Sequence, residues 1–441
     1  MSRRTLVLPL CMLLCPTLLA AQPMSRADVV SVALRNNPAV QRAADEVSRL
    51  EGLILEARAD ALPDVRFTAS GLRFRDPSLL NSPSFDQFPP EFRDTLSPVA
   101  ANLYEGIGSV RQTLFSFKLG HALTAARLGR DFGHADERRV RQTVALAAVQ
   151  AYNLLLFTRE NVRVADATVR QRERQLDVLR TRHQAGVATE LDVLRSQVAL
   201  ENARAALARA QGQVELALGN LNAVMVRPID APLDPADQLT LQRFDPGLEA
   251  VLAEAIAARP EIRAAKLNEQ VNAEFVGLAR GEKRPTFDFN GQFGYSVRRP
   301  RNFFDSDFTR WSTGVVVTVP LFDGFRADGR IAQAEARRRQ AGHDVVALEN
   351  QVRLEAKAAY DRLTVARRVL AAADLNIEQA RSAVEMTQAN LEYGAATLID
   401  LLDAQTALAV AELTRTQALY DHAEAVATLQ YVMGRDPAAL P

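Results

Sequence analysis

Two kinds of hydrophobic periodicity alternate along the chain. The longer segments place small or apolar residues at alternating spacings of four and three, beginning with Val144, Ala148 and Ala151, which is the pattern of a coiled-coil seam. No proline interrupts residues 120–184, so this segment predicts a single helix of roughly 100 Å at about 1.5 Å per residue. A compact globular domain has no need of a helix this long.

Shorter segments alternate with a period of two. In residues 286–297 the aromatic and aliphatic side chains fall on one face of an extended chain and the polar side chains on the other. The alternation continues in residues 309–322, beginning at Trp311. In the first half of the chain, residues 64–75 alternate well and residues 104–117 poorly, so we expect two strands there, the second of them distorted.

The whole arrangement is written twice, which indicates an internal duplication. Residues 185–200 and 393–408, which are 208 positions apart, are identical at eight of sixteen positions. The first repeat covers residues 22–226, with strands at about 64–75 and 104–117 and long helices at about 120–184 and 189–226. The second repeat covers residues 247–441, with strands at about 286–297 and 309–322 and long helices at about 329–393 and 397–433. Prolines mark residues 227–246 as a linker and residues 76–102 as a loop, and residues 298–308 form the loop corresponding to 76–102 in the second repeat.

The first 21 residues are typical of a secretory signal peptide. Arg3 and Arg4 precede a short apolar run that ends in small residues, and we expect cleavage after Ala20 or Ala21. An ordinary secretory signal is favoured over a twin-arginine signal. Both cysteines of the chain lie inside this segment, so the mature protein is predicted to have no disulfide and no cysteine-based metal site.

Composition and motifs exclude several classes of function. Lys and Arg number 53 and Asp and Glu also 53, a balance that argues against nucleic acid as a partner. The sequence contains no phosphate-binding glycine loop, no GxSxG and no HExxH, and its five histidines are spread over predicted helix surface. We therefore predict that the protein is not an enzyme and has no cofactor and no metal site.

The strand pattern leaves two fold classes open. Strands of about ten residues with one apolar and one polar face are typical of an outer-membrane barrel, and equally of a soluble sandwich with one wet face. The signal peptide and the long helices favour a mainly α fold with a β-barrel part. Four strands cannot close a barrel, because the smallest need about eight. Several chains must then contribute, and the arithmetic allows a dimer or a trimer.

In this arrangement the chain resembles the TolC-like outer membrane efflux proteins, also called outer membrane factors. The resemblance rests on the duplication, on Asn37-Pro38, on Pro-Leu-Phe-Asp-Gly at 320–324 and on the two Gly-x-x-Thr…Asp phrases, and it covers nearly the whole mature chain. It implies a homotrimer whose three chains build one 12-stranded barrel in the outer membrane. It also implies an α-helical tunnel through the periplasm that meets an inner-membrane pump through a periplasmic adaptor (membrane fusion) protein.

These implications predict a passive, gated exit duct for a tripartite efflux pump or a type I secretion system. The sequence does not choose among drugs, metal ions and polypeptides as cargo. The alternative is a periplasmic coiled-coil structural or adaptor protein with a soluble β-domain. Such a protein would stay in the soluble fraction without detergent, whereas a duct would sediment with outer membranes.

The repeated phrase predicts a helix-turn-helix tip. The glycine ends one helix in a left-handed turn, the threonine caps the next helix, and the aspartate faces its free amide groups. These residues are Gly186, Thr189 and Asp192 in the first repeat and Gly394, Thr397 and Asp400 in the second.

Asp403 has no capping role, and its counterpart in the first repeat is Arg195. It shares a helix face with Asp400, about 100° from a predicted seam formed by Ile399, Leu402, Thr406, Ala409 and Leu413. In the resembled family, acids at these two positions line a periplasmic constriction. The hypothesis is an acidic ring that gates the channel and favours cations, and the alternative is an ordinary solvated helix face.

Two further sets of residues at the tips follow from the resemblance. Ala396 stands where family members often have a latching arginine, so Arg195 and Tyr393 are the candidate latch. Apolar residues at the tips are candidate adaptor contacts, namely Val187, Ala188, Ala395 and Leu398.

Overall fold

A computed structural model describes residues 23–75, 77, 89, 91, 100–241 and 243–437. The predicted signal peptide and most of the predicted loop at 76–102 lie outside these ranges. The helices are α1 Arg26–Asn36, α2 Pro38–Ala59, α3 Phe117–Gln184, α4 Glu190–Val224, α5 Leu248–Ala258, α6 Pro260–Gly281, α7 Arg326–Glu392 and α8 Leu398–Val432. The strands are β1 Pro23–Met24, β2 Asp64–Phe74, β3 Ala101–Ser116, β4 Asp234–Pro235, β5 Thr286–Val297 and β6 Thr309–Thr318.

The described chain forms two compact units, and each contains parts of both repeats. The first unit takes in the chain up to Arg42, Arg139–Arg259 and the chain from Gln351 onward. The second takes in Ala43–Arg138 and Pro260–Asn350, including the larger sheet. The duplicated halves are therefore interleaved, because α3 and α7 each begin in the second unit and end in the first, whereas α4 and α8 lie wholly in the first.

The second unit holds an antiparallel sheet in the order β2-β3-β5-β6, so the central pair β3–β5 joins the two repeats. Its register separates apolar from polar side chains by face. One row across the sheet contains Phe67, Gly108, Phe293 and Trp311, and the adjacent row, on the opposite face, contains Arg66, Ser109, Gln292 and Ser312. The register of β3 shifts between Thr113 and Phe115, which is the distortion expected from its poor alternation.

One strand is shorter than its sequence predicted. The period-two pattern extends to residue 322, but β6 ends at Thr318. Pro320 has no backbone N–H and cannot continue a ladder. The side chain of Asp323 then accepts a hydrogen bond from the backbone N–H of Ala327 at 2.8 Å, at the first turn of α7.

In the first unit, α3 and α8 run antiparallel in a constant register. Asn153 Nδ2 donates to Glu424 Oε1 at 2.9 Å. Nineteen residues later in α3 and nineteen residues earlier in α8, Arg172 Nη1 donates to Gln405 Oε1 at 2.7 Å. Between these contacts the rings of Phe157 and Tyr420 lie 5.0 Å apart. The first long helix of one repeat therefore pairs with the last helix of the other.

The main apolar core of this unit gathers α1, the middle of α3 and the end of α4. Its largest fully buried members are Tyr152, Leu155, Leu221 and Met225. Small residues such as Ala148 let the helices approach closely, as the coiled-coil pattern predicted. Among the described residues, no helix is both long enough and apolar enough to cross a membrane.

Candidate channel gate at the helix tips

The first tip lies between α3 and α4 and is shaped by one glycine. Gly186 has φ +77°, a conformation that favours glycine, and its N–H donates to His183 O at 2.9 Å. The N–H of Val187 donates to Arg182 O at 2.9 Å, which completes a Schellman-type turn. This geometry reverses the chain within five residues of the end of α3.

A capping box starts α4. Thr189 Oγ1 accepts from the N–H of Asp192 at 3.2 Å, and the N–H of Thr189 donates to Asp192 Oδ2 at 3.1 Å. Two amide groups at the helix start are therefore satisfied reciprocally. Hydrogen bonds from Thr189, first its side chain and then its backbone, lower the pKa of Asp192.

The second tip repeats this geometry. Gly394 has φ +78°, the N–H of Thr397 donates to Asp400 Oδ2 at 2.8 Å, and the N–H of Asp400 donates to Thr397 Oγ1 at 3.3 Å. The pKa of Asp400 is lowered by the Thr397 side chain and then by its backbone N–H. Asp192 and Asp400 therefore perform the same structural role.

Asp403 and Arg195 are where the tips differ. Both side chains are exposed in the single chain, one turn beyond the cap. In the part of the chain that the structure describes, no hydrogen bond or ion pair holds the Asp403 carboxylate. Capping therefore explains one acid of the predicted pair and leaves the other free to face solvent or a lumen.

The seam predicted beside these acids is wrong within the chain. Ile399 is 45% exposed and Leu413 is 42% exposed, whereas Leu398, Leu401 and Gln405 are buried. A leucine-rich helix carries two neighbouring stripes at spacings of three and four, and the packing of α8 selects the other one. The stripe through Ile399 stays exposed in the single chain.

Among the described residues, no hydrogen bond or ion pair joins the candidate latch residues Arg195 and Tyr393. Tyr393 is 88% exposed, and Arg195 is exposed on α4, where its charge acts on Asp192 of the same helix. Of the candidate adaptor contacts, Val187 is 74% exposed but Leu398 is buried. Leu398 belongs to the packed stripe of α8, which leaves it little surface for a partner.

Comparisons with known proteins identify the family of the chain. Residues 29–225 and 251–435 match the model of the outer membrane efflux protein family. Outer membrane protein OprJ of Pseudomonas aeruginosa is 27% identical over 386 residues, which cover 86% of this chain and 77% of that protein. The alkaline protease secretion protein AprF of the same organism is 25% identical over 336 residues, covering 74% of this chain and 68% of AprF. The crystal structure of the Campylobacter jejuni CmeC outer membrane channel has a TM-score of 0.79 at 18% identity, covering 93% of this chain and 85% of that one.

The chain belongs to the outer membrane efflux protein family. The TolC-like resemblance is thereby confirmed, and the likeness to CmeC shows the mainly α fold. As a member of this family, the protein is an outer-membrane protein that extends into the periplasm. The family consists of transport channels rather than enzymes.

Sequence reasoning missed a buried arginine in this efflux protein, about three turns from the tips. Arg172 is 6% exposed and donates to Gln405 Oε1 at 2.7 Å and to Thr406 Oγ1 at 3.1 Å. Burial lowers its pKa. The signal was its place in the seam, since Val169, Arg172 and Leu176 follow the same three–four spacing. The guanidinium therefore links the end of α3 that leads to the first tip with the start of α8 that follows the second.

A second buried polar group lies at the middle of the same helix pair. Arg26 Nη2 donates to Asn153 Oδ1 at 3.2 Å, and Asn153 in turn donates to Glu424. Burial lowers the pKa of Arg26 and raises the pKa of Glu424. Arg26 lies outside the coiled-coil pattern, so no periodicity pointed to it.

The linker between the repeats covers a buried histidine. Tyr152 Oη donates to Asp237 Oδ2 at 3.0 Å and Arg367 Nη1 donates to Asp245 Oδ1 at 2.5 Å, which fasten the linker to α3 and α7. His422 is 1% exposed, and neither ring nitrogen has a hydrogen-bond partner among the described residues. The expectation that every histidine lies on helix surface is therefore wrong for His422. His422 borders a cavity, and the charged residues that line this cavity are Arg243, Asp245, Arg367 and Asp374.

Proposed function

We propose that the protein is a passive, gated exit duct across the periplasm and outer membrane, built from three copies of the chain. It serves a tripartite efflux pump or a type I secretion system through a periplasmic adaptor. The observation that carries this proposal is the sheet of the second unit. It exposes an apolar face bounded at both ends by aromatic clusters, and its strands continue into helices of 68 and 67 residues.

The exposed apolar face supports contact with lipid. Phe67 is 75% exposed, Trp311 69% and Phe293 57%, and all three lie in one row of the sheet. A face this apolar is costly to leave in water, at roughly 25 cal/mol per Å². The opposite face carries hydrogen-bonded polar side chains, as between Gln292 and Ser312 at 2.8 Å. That face suits a water-filled lumen.

Aromatic clusters lie at both ends of the apolar face. At one end Tyr295 packs on Phe304 with ring centroids 5.6 Å apart, and at the other end Phe115 packs on Phe287 at 6.1 Å. Tyr295 and Phe287 are eight residues apart on β5, or about 26 Å along the strand. Aromatic girdles flanking an apolar band of about 25 Å are the mark of a strand wall in a membrane.

The edges of the sheet support closure by other copies. β2 and β6 each pair on one side only among the described strands, so backbone groups on their outer sides have no ladder partner. Pairing β6 of one chain with β2 of the next would remove these edges. Three chains supply twelve strands, and family membership favours this number over the eight of a dimer.

The acidic pair supports a gate at the periplasmic end. Asp400 is held by its cap and Asp403 is not, so three chains would place three fixed and three mobile carboxylates around one aperture. Such a ring attracts cations and raises the barrier to anions. Relatives named for pyoverdine export and for alkaline protease secretion support both kinds of partner system.

Single-channel conductance in a planar bilayer tests the duct and the gate together. We expect discrete, cation-favouring openings that a multivalent cation blocks, and we expect Asp400→Asn/Asp403→Asn to lose both the preference and the block. Asp192→Asn is the matched control, because it makes the same change in a capping box of the first tip. A detergent-purified protein that is folded but never forms openings would overturn the duct. Openings that are unchanged in the double variant would overturn the acidic gate alone.

A further inference from the structure

Three exposed arginines lie in the loop between β5 and β6. We name Arg298, Arg299 and Arg301 the arginine rim. Among the described residues, no carboxylate forms an ion pair with any of them. Nearby acids have other roles: Asp305 accepts the N–H of Asp307 at 3.2 Å, and Glu105 lies 3.7 Å from Arg310. Within the described residues, the rim is therefore a positive patch to which no carboxylate is paired.

An exposed phenylalanine in a costly conformation lies beside the rim. Phe304 is 83% exposed and has φ +71°, which for a bulky L-residue costs roughly 1–2 kcal/mol. Its ring is held against Tyr295 and Phe303, with centroids at 5.6 and 6.0 Å. Gly106 makes room for this cluster, because a Cβ there would lie 3.2 Å from the Phe303 ring. The fold therefore holds Phe304 in a strained backbone conformation that exposes its aromatic ring.

The position of this loop follows from the connections of the strands. β2 and β5 follow α2 and α6, and β3 and β6 lead into α3 and α7, so these four helices all join the same end of the sheet. Since the protein extends into the periplasm, the loop between β5 and β6 lies at the outer surface of the membrane. This step rests on the proposed placement of the sheet in the membrane.

We infer that the arginine rim binds phosphate groups of outer-leaflet lipid, with Phe304 seated at the boundary of headgroups and acyl chains. A guanidinium presents a planar fork of donors that matches phosphate oxygens, and its charge strengthens each hydrogen bond. Aromatic rings partition to this boundary for their mixed character. A phosphorylated glycolipid offers both partners at the depth where the rim and the ring lie.

Binding of a bisphosphorylated lipid A by the detergent-purified channel tests the inference, with its dephosphorylated form as the reference ligand. We expect the wild type to prefer the phosphorylated form by about tenfold, with a preference that weakens as salt rises. Arg298→Gln/Arg299→Gln/Arg301→Gln should bind both forms alike. Arg337→Gln/Arg338→Gln/Arg339→Gln is the matched control, since it removes three exposed arginines of α7 that lie on the helical side of the sheet.

Two outcomes would overturn the rim as a lipid site. One is an unchanged phosphate preference in the rim variant, and the other is an equal loss in the α7 variant, which would show a general charge effect. Phe304→Gly provides a second measurement, because glycine accepts the φ of this position without strain. It should weaken binding of both lipid forms while leaving the fold intact. Failure of the channel to insert into bilayers would count against the duct itself, whereas normal openings with no lipid preference would count against the rim alone.

Discussion

The two tips share their fold and differ in charge. Gly186 and Gly394 make the same left-handed turn, and the two Thr–Asp capping boxes agree in every hydrogen bond. One turn further on, the first repeat has Arg195 where the second has Asp403. The duplication has kept the residues that form the turn and has changed a residue that folding does not need. Such a site is free to take on a role in transport.

The largest effect we expect comes from removing the hydrogen bond between Arg172 and Gln405, which links α3 to α8 near the tips. Gln405→Leu leaves the buried Arg172 guanidinium without its strongest acceptor, which should cost about 1–3 kcal/mol. Arg172→Met removes the charge but leaves the buried Gln405 amide oxygen without its donor, so it should also cost about 1–3 kcal/mol, whereas replacing both partners by apolar side chains is often close to neutral. Amide hydrogen exchange along α8 measures both.

The double variant Arg172→Met/Gln405→Leu completes this thermodynamic cycle. It should recover most of the protection that Gln405→Leu loses, since no unpaired group remains. A double variant as unstable as Gln405→Leu alone would show that Gln405 acts by packing and that Arg172 does not couple the tips.

Replacing Asp403 by the arginine found at the corresponding position of the first tip should remove the preference of the channel for cations over anions. In Asp403→Arg the second tip takes on the charge of the first, and the aperture would hold three acids and three arginines. The ratio of cation to anion permeability should fall by about tenfold, because the field that favoured cations is cancelled. The reversal potential in a salt gradient measures it. Arg195→Asp is the companion variant, and an equal loss in both would place neither residue specifically in the lumen.

The sequence predicted the tips well because their hydrogen bonds are local. Thr189 reaches an amide three residues away, so a phrase of seven residues contains the whole geometry. The stripe that α8 buries depends on which helix lies against it, and periodicity alone could not choose Leu401 over Leu402. Arg172 and His422 were missed for the same reason, since their burial depends on residues more than fifty positions away.

Mild acid should destabilise the packing of the linker while leaving the tips unaffected. Burial, and then the charge of Arg367, lowers the pKa of His422 from its ordinary 6.5, so the opened state binds the proton more readily. The state in which the linker, residues 227–246, covers His422 therefore loses stability, relative to a state in which the linker has detached, as pH falls below about 6.5. Asp192 and Asp400 also have lowered pKa values, and their contribution is lost only when pH falls below their ordinary 3.8.

Between pH 7 and pH 5.5, exchange of linker amides should therefore rise by up to about eightfold after correction for intrinsic rates, with the tips unchanged. His422→Leu cannot titrate and should remove the response. His422→Gln serves the same purpose if the leucine variant folds poorly. His343→Leu changes an exposed histidine of α7 and should behave as wild type. An acid response that survives in both His422 variants would assign it to another group.

The smallest effect tests the shared part of the tips. Thr189→Ala and Thr397→Ala each remove the side chain that accepts the third amide of the helix, at about 1 kcal/mol. Local exchange at each tip should therefore rise by about fivefold, and by the same factor in both repeats because the boxes have the same hydrogen bonds.

Single-channel conductance should distinguish these two variants, since Thr189 and Thr397 lie beside different charges. Loosening the second tip frees Asp400 next to Asp403 and should change cation block, whereas loosening the first should not. Equal exchange with unequal block would show that folding is duplicated and gating is not. Unequal exchange would mean that the second cap is already supported by contacts that the first one lacks.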